Sequence, residues 1–134
     1  MSLLSILGLA RAADYAEGQV WKYKTRPGEA ASTLQISKME TDPKLGQIFH
    51  ISVFQVRVKN PQAPTGATTE LPHFPVSKQT LDASVTKLVG KSPIKADYQE
   101  GYAQWRQAFD AGKAGIFTIP VSEIVQTVES ALNQ

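Results

Sequence analysis

With 134 residues and no cysteine, the chain is sized for one domain held by an apolar core, and disulfides and thiolate chemistry are excluded. A composition 42% apolar and 19% charged is that of an ordinary globular protein, and a formal charge of +2 is too small to attract a polyanion without local clustering. No phosphate loop, metal-ligand spacing or nucleophile elbow is present, so nothing calls for a cofactor or a metal.

The chain opens on an apolar run, Leu3, Leu4, Ile6, Leu7 and Leu9, that ends in Ala10-Arg11-Ala12-Ala13. Two readings are open for residues 1–15. As a leader, Met1 to Ala12 has an apolar centre and an A-x-A cleavage site but lacks a basic start, and it would send the protein out of the cell. As an amphipathic helix capped by Ser2, it places Leu3, Ile6, Leu7 and Ala10 at i, i+3, i+4, i+7. The helix reading is preferred, with a cytoplasmic protein as the expectation; no segment is long and apolar enough for a membrane span.

Residues 16–134 read as a single α+β domain, with 16–59 mainly β, 60–76 a Pro-rich loop and 77–134 mainly α with one short strand. Residues 18–25 alternate, with Trp21 and Tyr23 on one face and Lys22 and Lys24 on the other. Arg26-Pro27-Gly28-Glu29 supplies the turn of a hairpin, and 32–40 the return strand. After a turn at Asp42-Pro43 comes the longest β-branched and aromatic run, 46–61. Within it Phe49, Ile51 and Val53 share one parity and Val56 and Val58 the other, which predicts a bulge near Phe54-Gln55, or a split into two strands. His50, Ser52, Arg57 and Lys59 are expected to face solvent.

Residues 60–75, with four prolines, have no usable period and read as a long loop, the best positional hint of function. Ser77 caps a helix whose stripe is Leu81, Val85, Leu88 and Val89, ending at Gly90. A second helix opens at Asp97 with Tyr98, Tyr102, Trp105 and Phe109 on one face, a stripe expected in the core. A short strand at 116–119 and a last helix from Ser122, burying Ile124, Val125, Val128 and Leu132, complete the chain. The expected fold is therefore an antiparallel meander of 3–5 strands with the C-terminal helices packed on one face.

The strings GQVWKYKTRPGE, LGQIFHISV, RVKNP, LPHFP and EGYAQWRQAFDAGKAGIFTI resemble a group of small uncharacterised bacterial proteins over residues 16–132. The resemblance implies a bacterial protein but no catalytic residue, ligand or partner.

The chemical candidates are few. His50, His73 and Glu70 are the residue types for acid-base work or a divalent metal, with nothing in the sequence to fix their geometry. A Ser-His-Asp set can be drawn from Ser77, His73 and Asp82, although Ser77 is better explained as a cap. Lys22, Lys24 and Arg26, with Arg57 and Lys59, form a candidate basic face for nucleic acid, weakened because Trp21 and Tyr23 point the other way. The leading expectation is a non-enzymatic binding protein for an unidentified protein or small molecule, using 60–75 and the neighbouring sheet ends, with Lys22, Lys24, Arg57, Lys59 and His73 as its surface. A nucleic-acid-binding module and a small hydrolase or isomerase near His73 are the alternatives; nothing sets the oligomeric state.

Overall fold

The reversal at Asp42 sets the register of the first pairs of the central hairpin. Its carboxylate accepts the backbone N–H of Lys44 and Leu45, and Gly46 adopts φ 79, which closes the turn. β2 (Thr33–Asp42) and β3 (Gly46–Lys59) then pair antiparallel outward from Asp42 and Gly46. The computed structural model describes residues 15–134, so the N-terminal run, expected as a helix or a leader, lies outside the described residues. β1 (Gln19–Tyr23) pairs with the outer side of β2, and β4 (Ala67–Ser77) with the outer side of β3. A short helix α1 (Lys78–Ser84) leads to β5 (Val85–Lys91) on the free edge of β1, giving the antiparallel order β4-β3-β2-β1-β5. Helices α2 (Tyr98–Asp110) and α3 (Val121–Leu132) complete the chain.

The α+β meander expected from the sequence is the fold observed. Its main core lies on one face, where Trp21, Leu34, Ile36, Phe49, Ile51 and Val53 meet Leu81 of α1 and Val121, Ile124 and Val125 of α3. The helices, expected on one face, are divided between two. Neighbours on a strand point to opposite sides, so His50 faces away from Phe49 and Ile51, and its ring lies 4.9 Å from that of Trp105 in α2. This second face is closed over part of its length: Ile48, His50 and Ser52 are all buried.

The phase change in β3 is resolved by a bulge, and the strand continues as one element of 14 residues. Gln55 has φ 56, and the pairing with β4 jumps from Phe54↔Glu70 to Val58↔Thr68. The left-handed conformation at Gln55 turns the strand over, so Val56 and Val58 join the core of Phe49, Ile51 and Val53.

Three elements differ from expectation. The loop predicted over 60–76 is confined to 60–66, because β4 begins at Ala67 and carries Pro72 and Pro75. Proline is tolerated there since β4 is an edge strand, where a missing N–H breaks no ladder bond on the open side. The helix predicted to reach Gly90 ends at Ser84; Val85, Thr86 and Val89 are β-branched, and the unpaired edge of β1 supplies the hydrogen bonds that turn 85–91 into a strand. The strand predicted at 116–119 is reduced to one parallel bridge, Val76 to Phe117.

β3 also outruns β2, whose pairing ends at Thr33↔Phe54. Side chains take over as its partner. Arg57 donates its N–H to Glu29 at 2.6 Å, and Lys59 donates its N–H to Glu129 at 2.7 Å. Their carbonyls accept from Arg26 at 3.2 Å and Asn133 at 2.8 Å. Arg26 grips Glu29 with two 2.8 Å bonds, holding that carboxyl below the ordinary carboxylate range, and reaches Glu129 at 3.1 Å.

Two stability measurements check these assignments by urea denaturation. Glu29→Ala strands a guanidinium and a backbone N–H, and should lower the unfolding free energy by about 3 kcal/mol. Gln55→Gly relieves a left-handed conformation and should raise it by about 0.5 kcal/mol, whereas Gln55→Val should lower it by about 1 kcal/mol.

Candidate functional site: a histidine pair under α2 and a lysine row beside it

The Asp42–Gly46 turn puts Lys38 directly across from His50 and Glu40 two residue pairs nearer the turn, on the same face. From there Glu40 Oε2 lies 2.6 Å from His50 Nε2. On the other side of β3, the ladder with β4 slips between Ile51↔Phe74 and Val53↔Leu71, which leaves Pro72 and His73 across from Ser52. His73 Nε2 thereby comes within 2.9 Å of His50 Nδ1, with the rings stacked 5.1 Å apart and 15° from parallel. The result is a hydrogen-bonded chain, Glu40 to His50 to His73.

Helix α2 closes over it. The Tyr102 and Trp105 rings stand edge-on to His50, at 4.8 and 4.9 Å. Trp105 donates its indole N–H to Gly115 O at 2.8 Å, and Arg106 donates to Glu40 Oε1 at 2.9 Å. Gly101 faces His73 so closely that a Cβ there would lie 2.9 Å from the Cβ of His73. The close approach, more than any freedom of backbone angle, requires glycine at this helical position.

The network fixes the tautomers. A carboxylate only accepts, so His50 donates Nε2–H to Glu40, its Nδ1 accepts Nε2–H of His73, and the His73 lone pair is left on Nδ1. Burial pushes both rings below their ordinary value. For His50 the carboxylate of Glu40 works against that effect, while Lys38 and Arg106 reinforce it. For His73 burial, seconded by the neighbouring His50, lowers the value to about 4. Both imidazoles are neutral at pH 7, and His73 Nδ1 is chemically a base.

Beside α2 the same face is open. Register places Lys87, Lys22, Thr33, Phe54 and Glu70 in one row across all five strands. Lys22 and Lys87 are exposed and directly opposed, and Phe54 is half-buried. Lys95 lies 5.3 Å from the Phe54 ring centre and pairs with Glu70 at 3.1 Å. Ser52, Phe54, Pro72 and Asp97 contribute to a cleft of about 160 Å³ at this end.

The residues singled out from the sequence are distributed unevenly. His50 and His73 are brought together, but His50 is fully buried instead of facing solvent, because α2 covers it. Ser52 is also buried and donates its hydroxyl to Pro72 O. Glu70 turns to Lys95, not to His73. Ser77 accepts the N–H of Thr80 as the cap of α1, and Asp82 takes Tyr15 and Lys78, so the set with His73 is not assembled. Trp21 and Tyr23 are in the core, as parity demands. Lys22 joins the row and Lys24 is exposed beyond the end of β1. Arg57 lies instead with Arg26 and α3 in a cleft of about 550 Å³, and Lys59 against Glu129 and Asn133, so the single basic face expected is split.

Glu40, Tyr102 and Arg106 were missed as members of the site, as were Lys87 and Phe54. A signal for Glu40 existed, since a hairpin closing at Asp42 and Gly46 dictates that Glu40 lies near His50. Among the described residues no group of three or more His, Cys, Asp or Glu is arranged to hold a metal ion, and no helix is long and apolar enough to cross a membrane. In comparisons with protein-family models, curated proteins and solved structures, none matches the chain.

Gly101→Ala tests the fit of α2. Alanine is the better helix former by about 1 kcal/mol. The clash with His73 should nonetheless make the variant less stable by about 1–2 kcal/mol in urea denaturation.

Proposed function

We propose that this chain is a binding protein and that the open half of the second sheet face receives an anionic partner, a single-stranded nucleic acid. The observation that carries the reading is the direct opposition of Lys22 and Lys87. Like charges across a ladder destabilise it, and neither lysine is in an ion pair among the described residues. A run of phosphates laid along the row offsets that repulsion and gains from releasing its own counterions. Phe54, in the same row, offers a flat ring on which a base stacks, and Lys95 adds a further cation beside it. A catalytic reading around His73 has less support, because Glu70 and Ser77 are each committed to other partners.

A labelled single-stranded oligonucleotide followed by fluorescence anisotropy tests the proposal. Affinity should fall steeply as salt rises, and Lys22→Glu with Lys87→Glu should abolish binding while leaving the fold intact by circular dichroism. Phe54→Ala should weaken binding about tenfold or more without changing the salt slope. Binding that is absent, or indifferent to salt, overturns the proposal.

A further inference from the structure

The histidine chain is built in a way that acid must disturb. His50 and His73 share one hydrogen bond, and that bond exists only while one of the two facing nitrogens, His50 Nδ1 or His73 Nε2, keeps its lone pair. One proton can be taken by His73 Nδ1 without breaking it. A second has nowhere to go but His50 Nδ1, and the two rings then present N–H to N–H at 2.9 Å.

The surroundings make two imidazolium charges harder to hold. From β2, Lys38 and Glu40 face the pair, and from α2, Tyr102 and Arg106 do so. On β4 the nearby Glu70 is turned away to Lys95. Glu40 is the acid in contact, and it is already shared with Arg106, so two new cations would join Lys38 and Arg106 around one carboxylate. What the pair holds in place is lightly attached otherwise. Trp105 is the one buried residue among the thirteen of α2, and it rests on the histidine rings.

We propose that Glu40, His50 and His73 form an acid-operated latch that keeps α2 on the sheet at neutral pH and releases it when both rings take up protons. The sheet itself stays folded, because its main core lies on the opposite face with α1 and α3. Release uncovers His50, His73 and the Trp105 side of α2, extending the open part of the second face. The device stands apart from the nucleic-acid reading, since it depends on none of the lysines of the row.

The direction follows from proton counting. Docked rings are neutral and released rings have ordinary histidine affinity, so the released state binds more protons and gains as pH falls below about 6.5. Each proton taken up on release changes the release equilibrium by up to about tenfold per pH unit, and two by up to about a hundredfold.

Hydrogen exchange on the full chain, expressed as protection factors, reads this directly. Between pH 6.5 and about 4, the amides of α2 should lose protection with that steep dependence while those of β3 change little. His73→Phe keeps a stacked ring but cannot take a proton, and should reduce the slope for α2 to at most about tenfold per unit. Should that variant leave α2 unprotected already at neutral pH, the slope in the unaltered protein decides alone. Loss of protection in α2 and β3 in parallel, a flat response in α2, or an unchanged slope in His73→Phe each overturns the proposal.

Discussion

The whole arrangement depends on where β3 sits against β2. Side chains alternate along a strand, so a slip of one residue would exchange Phe49, Ile51 and Val53 for Ile48, His50 and Ser52 on the main core. The Asp42 turn fixes which backbone groups meet as far as Lys38, a one-residue shift in β2 at Ser37 then brings Ile36 across from Ile51, and the bulge at Gln55 corrects the parity for the second half of β3. Both faces of β3 are in use, one building the main apolar core and the other carrying His50 and Ser52 beneath a helix. That division is what allows a pair of histidines to be buried at all without disturbing the core of α1 and α3.

Burying a polar ring costs stability unless its nitrogens are partnered, and β3 meets this requirement with residues from both neighbouring strands. Glu40 comes from β2, His73 from an irregularity in β4, and Arg106 from α2. No buried side-chain nitrogen or oxygen among the described residues lacks a hydrogen-bond partner. The network is therefore complete in one protonation state, and completeness of that kind makes it specific: another residue at 40, 73 or 101 leaves a donor, an acceptor or a steric conflict behind.

Much of the sheet was legible because its signals are local. Pro27-Gly28 and Asp42-Pro43 announce turns, alternation around Trp21 separates core from solvent, and the phase change between Val53 and Val56 announces the bulge. The misreadings arise where tertiary partners overrule local pattern. Val85, Leu88 and Val89 have helical spacing, yet an open edge on β1 recruits them as a strand. Pro72 and Pro75 look like loop residues, yet an edge position accommodates them. The histidines stand out in the sequence as residue types, but the burial of His50 depends on α2 folding over β3 from more than fifty residues later in the chain, and Arg106 reaches Glu40 across 66 positions. No window along the sequence holds that information.

The end of β3 has a consequence for how the protein is made. A strand edge is ordinarily closed by another backbone, but here the groups that close it at Lys59 belong to Glu129 and Asn133, 70 and 74 residues further on. Arg57 is closed by Arg26 and Glu29, which precede it, but a growing chain carries the end of β3 at Lys59 as an open edge until nearly the last helix has been synthesised. The exposed charges of Arg57 and Lys59 then act as gatekeepers during that interval, discouraging nascent chains from pairing with one another.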